Sequence, residues 1–235
     1  MVDTIRYITD DLSDVDTQEL LKCLPNYFEP FGGGPKGVAF LNWRIDKHTV
    51  LEEQFFNLGD GYFQAAVNLI DSCLKDGSSN NADILIFPIM FCTIHGIEVY
   101  LKGFNSQYRI YHGLQDGESV ESKIEGNHNI KQLCEVAISL VKNKGDKGLM
   151  QELSFVKKFI DILYANTNDM TFARYSTDSK KQPHFYVQKD DNVTIDLYVL
   201  RQWIIRMSTI LDNCTSFISW HIDEIMEWLY ESSIY

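Results

Sequence analysis

His95, Glu98 and Lys102 stand three and four positions apart, a spacing that puts all three on one face of a helix. A carboxylate between an imidazole and an ammonium can serve two ends. In the first, Glu98 pairs with Lys102 and reaches toward His128 or Arg174 from neighbouring segments, a polar network that fixes helix register and avoids the cost of an unpaired buried charge. In the second, the same face lines a cleft for a phosphate or a base. Lys102 and Arg174 then contact the anion and His128 acts as general acid or base. Both readings stand on the sequence. The catalytic set would be His128, Arg174 and Glu98, and the ligand-binding set His95, Glu98, Lys102, His128 and Arg174. A metal held by His95, Glu98 and His128 is a poor fit, because di-metal bundles draw on several carboxylates and Glu-x-x-His pairs and only one inward Glu is present here. No cofactor or metal is expected.

Other motifs carry less. The run Gly32-Gly33-Gly34-Pro35-Lys36-Gly37 is a turn signal, not a nucleotide loop, since a P-loop needs Gly-Lys-Ser/Thr opening a helix and here Gly37 is followed by Val38-Ala39-Phe40. There is no G-x-S-x-G, H-E-x-x-H or Cys/His nucleophile context. His112, His184 and His221 are expected at the surface. Trp203, Phe217, Trp220, Trp228 and Tyr230 recur at roughly helical spacing, which suits a core or a dimer interface.

The elements that position these residues read as helices. Apolar residues from Phe55 to Leu74 repeat with helical period between Glu52 and Lys75, and the polar run 76–81 breaks the helix. Asp83 is the expected N-cap of the next helix, which extends to about Phe104 and carries Pro88 near its start. Being apolar nearly all round, this second helix should be the central element. A polar loop is expected over 105–127, then helices over about 128–142 and 149–164. Turn residues over 171–193 enclose a short alternating run, 184–188, consistent with a small hairpin. A last helical stretch begins near Thr194, with an interruption expected at Asp212-Asn213. The fold class is thus mainly all-α: an antiparallel bundle of four to five helices with a small β-hairpin or loop insertion. Residues 1–50 read as an irregular, acidic N-terminal segment and 51–235 as the bundle.

Composition bounds the rest. The 235 residues are 45% hydrophobic, enough for a packed core. The net charge of −12 repels nucleic acid over most of the surface, so any RNA or nucleotide contact needs a local basic patch. Residues 142–189 supply one, with nine Lys/Arg against five Asp/Glu; a solvated helix face explains the same residues. Five widely separated cysteines and an N-terminus without a basic or apolar signal region point to reduced thiols in the cytoplasm. The most apolar window, Ile84 to Ile94, is shorter than the roughly 20 residues of a membrane span, so a core helix and no membrane are expected.

Three segments carry a family resemblance. His95-Gly96-Ile97-Glu98-Val99-Tyr100-Leu101-Lys102 is similar to the H-x-x-E-L-x-L-K helix of HEPN-like proteins. Gly126-Asn127-His128-Asn129-Ile130-Lys131-Gln132-Leu133 resembles their Gly-His-Asp/Asn-Leu-x-x-Leu element. Arg174-Tyr175-Ser176-Thr177-Asp178 looks like the Arg-Tyr-Pro-x-Asp segment of one bacterial branch. The resemblance spans about 55–211. It implies an antiparallel four-helix core, usually a homodimer, with RNA or a partner protein as the target, in bacterial stress, toxin–antitoxin or phage-defence settings. Active RNases of that family carry Arg, four to six residues, then His. This chain departs from the pattern: Arg109 and His112 are separated by two residues, Arg44 and His48 by three, Arg174 and His184 by nine. The implied function is a degenerate, non-cleaving module. The alternatives are a metal-independent RNase with a differently built site and a purely structural dimeric interaction protein.

Overall fold

The computed structural model describes residues 39, 41, 44–76, 79–118, 120–167 and 169–233. Most of the acidic N-terminal segment, with its glycine run, lies outside the described residues. Residues Asn42–Tyr235 form one compact unit. Among the described residues its helices are α1 (Leu51–Asp76), α2 (Ser79–Gln115), α3 (Ile130–Lys144), α4 (Lys147–Asn166) and α5 (Leu197–Ser233), with a 3-10 turn at Met170–Ala173. No strand occurs among the described residues. The molecule is an all-α bundle.

The ends of α1, α3 and α4 have local reasons. Glu52 and Glu53 lie in the first turn of α1 and Lys75 in its last, matching the helix dipole at both ends. Asn129 caps α3 through the Gln132 amide, and Asp146 caps α4 through the Leu149 amide. Between them Gly145 sits at φ 76°, a left-handed conformation that glycine adopts without steric cost. The two-residue connection Gly145-Asp146 folds α3 and α4 into an antiparallel hairpin. Before α1, Asp46 accepts from the amides of His48 and Thr49, and Gln54 donates to the carbonyls of Asp46 and Thr49, so this irregular stretch is tied to the first helix.

Helix α2 is the axis of the bundle and packs against α1, α3 and α5. Ile97, Tyr100, Leu101 and Phe104 are fully buried along it. The packing against α1 is close enough to need glycine: a Cβ on Gly59 would lie 2.2 Å from the Tyr100 ring, and one on Gly103 2.5 Å from the Phe56 ring. Tyr100 is sandwiched between Phe56 and Phe63, with ring centroids 5.5 and 5.8 Å away. By length and composition the stretch Asn81–Gln115 is apolar enough to cross a bilayer, so its apolar character reaches well beyond Ile94. Its buried side chains pack within the bundle.

Three expectations need correction. Helix α2 starts at Ser79 and ends at Gln115, not at an Asp83 cap and near Phe104. Asp83 is therefore internal, and Pro88 is the tenth residue of the helix, on its exposed side. The expected polar loop over 105–127 is helical to Gln115 because its polar residues find partners inside the core. The Asn105 amide donates to the Leu133 carbonyl, the Ser106 hydroxyl to Glu52 at 2.6 Å, and the Gln107 amide to the Ser219 hydroxyl. Of the small hairpin or loop insertion expected after α4, the loop is what stands: the run 184–188 is a turn, closed by the Val187 amide on the His184 carbonyl, beside an isolated antiparallel bridge, Thr177 to Pro183. Helix α5 passes Asp212-Asn213 without interruption, since both side chains face solvent and the buried stripe from Ile204 to Ile218 is continuous.

Candidate functional site

One face of α2 carries Phe87, Phe91, His95, Glu98 and Lys102 at spacings of four, four, three and four, a single stripe on a 3.6-residue helix. The stripe runs from exposed Phe87 to buried Lys102, and each rung meets a residue from another segment or the next turn.

Glu98 is the centre. It is 7% exposed and both of its oxygens are engaged. Oε1 accepts from Lys102 Nζ at 2.9 Å and lies 2.8 Å from His128 Nδ1, while Oε2 is 3.5 Å from His95 Nδ1. Burial alone would raise the pKa of this carboxyl. Hydrogen bonds from His95, Lys102 and His128, with the Lys102 charge, outweigh that and hold it at about 2. The carboxylate is therefore ionised and fixed.

What Glu98 holds is asymmetric. The Lys102 side chain is 8% exposed, so its ammonium serves as counter-charge to Glu98 and presents no open face to a ligand anion. The His128 side chain is 77% exposed. With Nδ1 directed at a carboxylate, the tautomer protonated on Nδ1 is favoured and Nε2 becomes the acceptor on the solvent side. A buried carboxylate orienting an exposed imidazole is the arrangement by which proteins prepare a histidine to take or give a proton. The loop before α3 sets this position: Asn129 both caps that helix and accepts from the Tyr164 hydroxyl at 3.0 Å, fixing the backbone next to His128.

His95 is half-buried in an aromatic corner, edge-on to Tyr62 at 4.5 Å and stacked on Phe91 at 5.6 Å. Beyond Phe91 comes Arg174, whose guanidinium lies 5.7 Å from the Phe91 ring centre and 5.8 Å from that of Tyr175. Arg174 is exposed and makes no ion pair among the described residues. It stands where it does because the insertion after α4 folds against α2. Tyr186 packs on Phe87 at 5.4 Å and donates to the carbonyls of Phe172 and Tyr175. The same insertion carries Lys180 and Lys181, exposed and likewise without ion pairs among the described residues, on a turn closed by Asp178.

The five residues singled out in the sequence thus fall into a clamped cluster and one outlier. Glu98 reaches His128 and not Arg174, which joins through Phe91, about 10 Å from Glu98 along the helix axis at 1.5 Å per residue. Sequence reasoning missed Tyr62, Phe91 and Tyr175. Phe91, four residues before His95, and Tyr175, next to Arg174, were legible from spacing alone; Tyr62 was not. All three histidines expected at the surface are otherwise placed. His184 is 4% exposed, because Phe172, Phe185 and Tyr186 pack the insertion around it. His112 is half-buried against Tyr108 at 4.5 Å, and burial followed by the nearby Lys144 lowers its pKa. His221 is half-buried beside Glu224. Among the described residues no group of three or more His, Cys, Asp or Glu is placed to hold a metal ion. The buried thiols of Cys134 and Cys214 are pushed up to about 12, mainly by burial, which leaves them unreactive at neutral pH. No protein-family model, no curated protein and no solved structure matches the chain.

Proposed function

We propose that this chain is a degenerate HEPN-like module, without the Arg/His spacing of the active RNases, that binds single-stranded RNA or a nucleotide at the α2 face. The observation that carries the reading is the Arg174 guanidinium, without an ion pair among the described residues, beside the Phe91 and Tyr175 rings, Phe91 standing two helical turns along α2 from buried Glu98, which orients the His128 imidazole. Cation and aromatic rings side by side suit a phosphate with its stacked base. Lys180 and Lys181 add local positive charge to a molecule of net charge −12. In the wider reading the module is a cytoplasmic homodimer in a bacterial stress, toxin–antitoxin or phage-defence system, its action exerted through RNA or a partner protein.

The test is fluorescence anisotropy of a labelled single-stranded RNA at low salt. Arg174→Ala should weaken binding by about tenfold, equivalent to 1.4 kcal/mol, and should lower the salt dependence. No binding by the wild type would remove RNA from the proposal and leave the partner-protein and structural readings.

A second reading, a metal-independent RNase, is favoured by one contact, His128 Nδ1 to Glu98 Oε1 at 2.8 Å, which prepares Nε2 to take the proton of an attacking hydroxyl. It is decided by incubating the wild type with single-stranded RNA in EDTA. The leading reading expects intact RNA. Cleavage that His128→Ala abolishes in a folded protein would establish the second.

A further inference from the structure

A different part of the molecule holds open apolar space. A cavity of about 390 Å³ lies between α4, the 3-10 turn and the start of α5, and a second of about 340 Å³ lies between the start of α2 and the insertion. Both are walled by Met90, Phe172, Phe185, Val193, Thr194 and Ile195, so they are two lobes of one trough beneath the segment 193–195. Phe159 and Trp203 close one end and Phe87 and Tyr186 the other. Each lobe falls within the size range of small-molecule sites, roughly 300–1,000 Å³. Walls of this kind hold water poorly.

The segment over the trough is held loosely. Among the described residues, none of 189–195 makes a hydrogen bond or ion pair, and the next polar anchor is Asp196, whose side chain accepts from the Val199 amide at the start of α5. Val193 and Ile195 are 45% and 43% exposed, so they rest on the trough without filling it. Few contacts and no backbone hydrogen bonds mark a segment that opens at small free-energy cost.

Charge at the rim selects the ligand. Asp196 lines one lobe and Asp83 the other. Asp83 is exposed, with no hydrogen bond or ion pair among the described residues. Among the described residues no Lys, Arg or His lines either lobe. A fatty carboxylate or a phosphate would meet a like charge in either lobe, whereas an ammonium would meet an opposite one. We propose that the trough beneath 193–195 binds a small hydrophobic amine, its hydrocarbon or aromatic body between Met90, Phe172 and Trp203 and its cationic head at Asp83 or Asp196. The proposal uses neither Arg174 nor His128 and stands or falls independently of RNA binding.

Decylammonium and decanoate, below their micelle concentrations, are the matched probes, read by melting temperature and by tryptophan emission on the full chain. Decylammonium should bind saturably, raise the melting temperature and shift an emission component that Trp203→Phe removes. Decanoate should bind at least about tenfold more weakly. The double variant Asp83→Asn, Asp196→Asn retains an N-cap at 196 and should melt near the wild type while losing about tenfold in decylammonium affinity. Absence of saturable decylammonium binding overturns the proposal. So does equal binding of the two probes, or an unchanged affinity in the double variant. Should Trp203→Phe fail to fold, the melting shift and the charge variants separate the same outcomes.

Discussion

Glu98 is a carboxylate that the fold both buries and satisfies, and its acid sensitivity follows from that. The group stands at about 2 in the folded protein against an ordinary 4.5. Its folded value is depressed, so its contribution to stability is fully present above about pH 4.5 and is lost as pH falls toward 2. Glu98→Gln should therefore lower stability at pH 7 and flatten the loss between pH 4.5 and pH 2; urea titrations at several pH values read both. An unchanged pH profile in the variant would mean that other carboxylates govern acid unfolding. The sequence made this residue legible, since a lone Glu on an apolar helix with a Lys four residues on demands partners. It did not say which of His128 and Arg174 would supply one. That depended on where two loops far along the chain come to rest, and helix periodicity carries no information on it.

The helices themselves were legible where apolar residues recur and illegible where polar residues are buried in pairs. The stripes of α1, α3, α4 and α5 all appear at their expected places. The second half of α2 was misread as a loop because Asn105, Ser106 and Gln107 look like surface residues, yet all three are buried. Ser106 is the most consequential of them, as its hydroxyl donates to buried Glu52 and accepts from the Lys123 amide, joining α1, α2 and the connection to α3. Ser106→Ala should cost about 2–3 kcal/mol, because a buried carboxylate loses a donor, with a corresponding fall in melting temperature. A loss under half a kcal/mol would show that water replaces the hydroxyl. Gly59→Ala tests the α1–α2 approach. Its Cβ would lie 2.2 Å from a ring atom of Tyr100, a ring gripped from both sides, so a loss of about 1–3 kcal/mol is expected from overpacking, read by denaturant unfolding. Neutrality would mean the two helices part easily.

For the whole molecule, the end of α5 is the outstanding surface. Phe217, Trp220, Met226, Trp228, Leu229 and Tyr230 are all exposed on it, more apolar surface than scattered residues explain. The proposed homodimer would cover it, and light scattering at micromolar concentration should give twice 27.2 kDa; a value of 27.2 kDa would reject the dimer. At the α2 face, the central question is whether His128 is offered to a ligand or is one more prop for the core. His128→Ala measures this most directly when melting and affinity for a single-stranded RNA are taken on the same preparation. Because the ring is 77% exposed and Lys102 stays on Glu98, a ligand-facing His128 predicts a stability loss below about 1 kcal/mol together with a fall in RNA affinity of about tenfold or more. A stability loss of about 1–3 kcal/mol with RNA affinity unchanged would contradict it and leave the face as a structural lock.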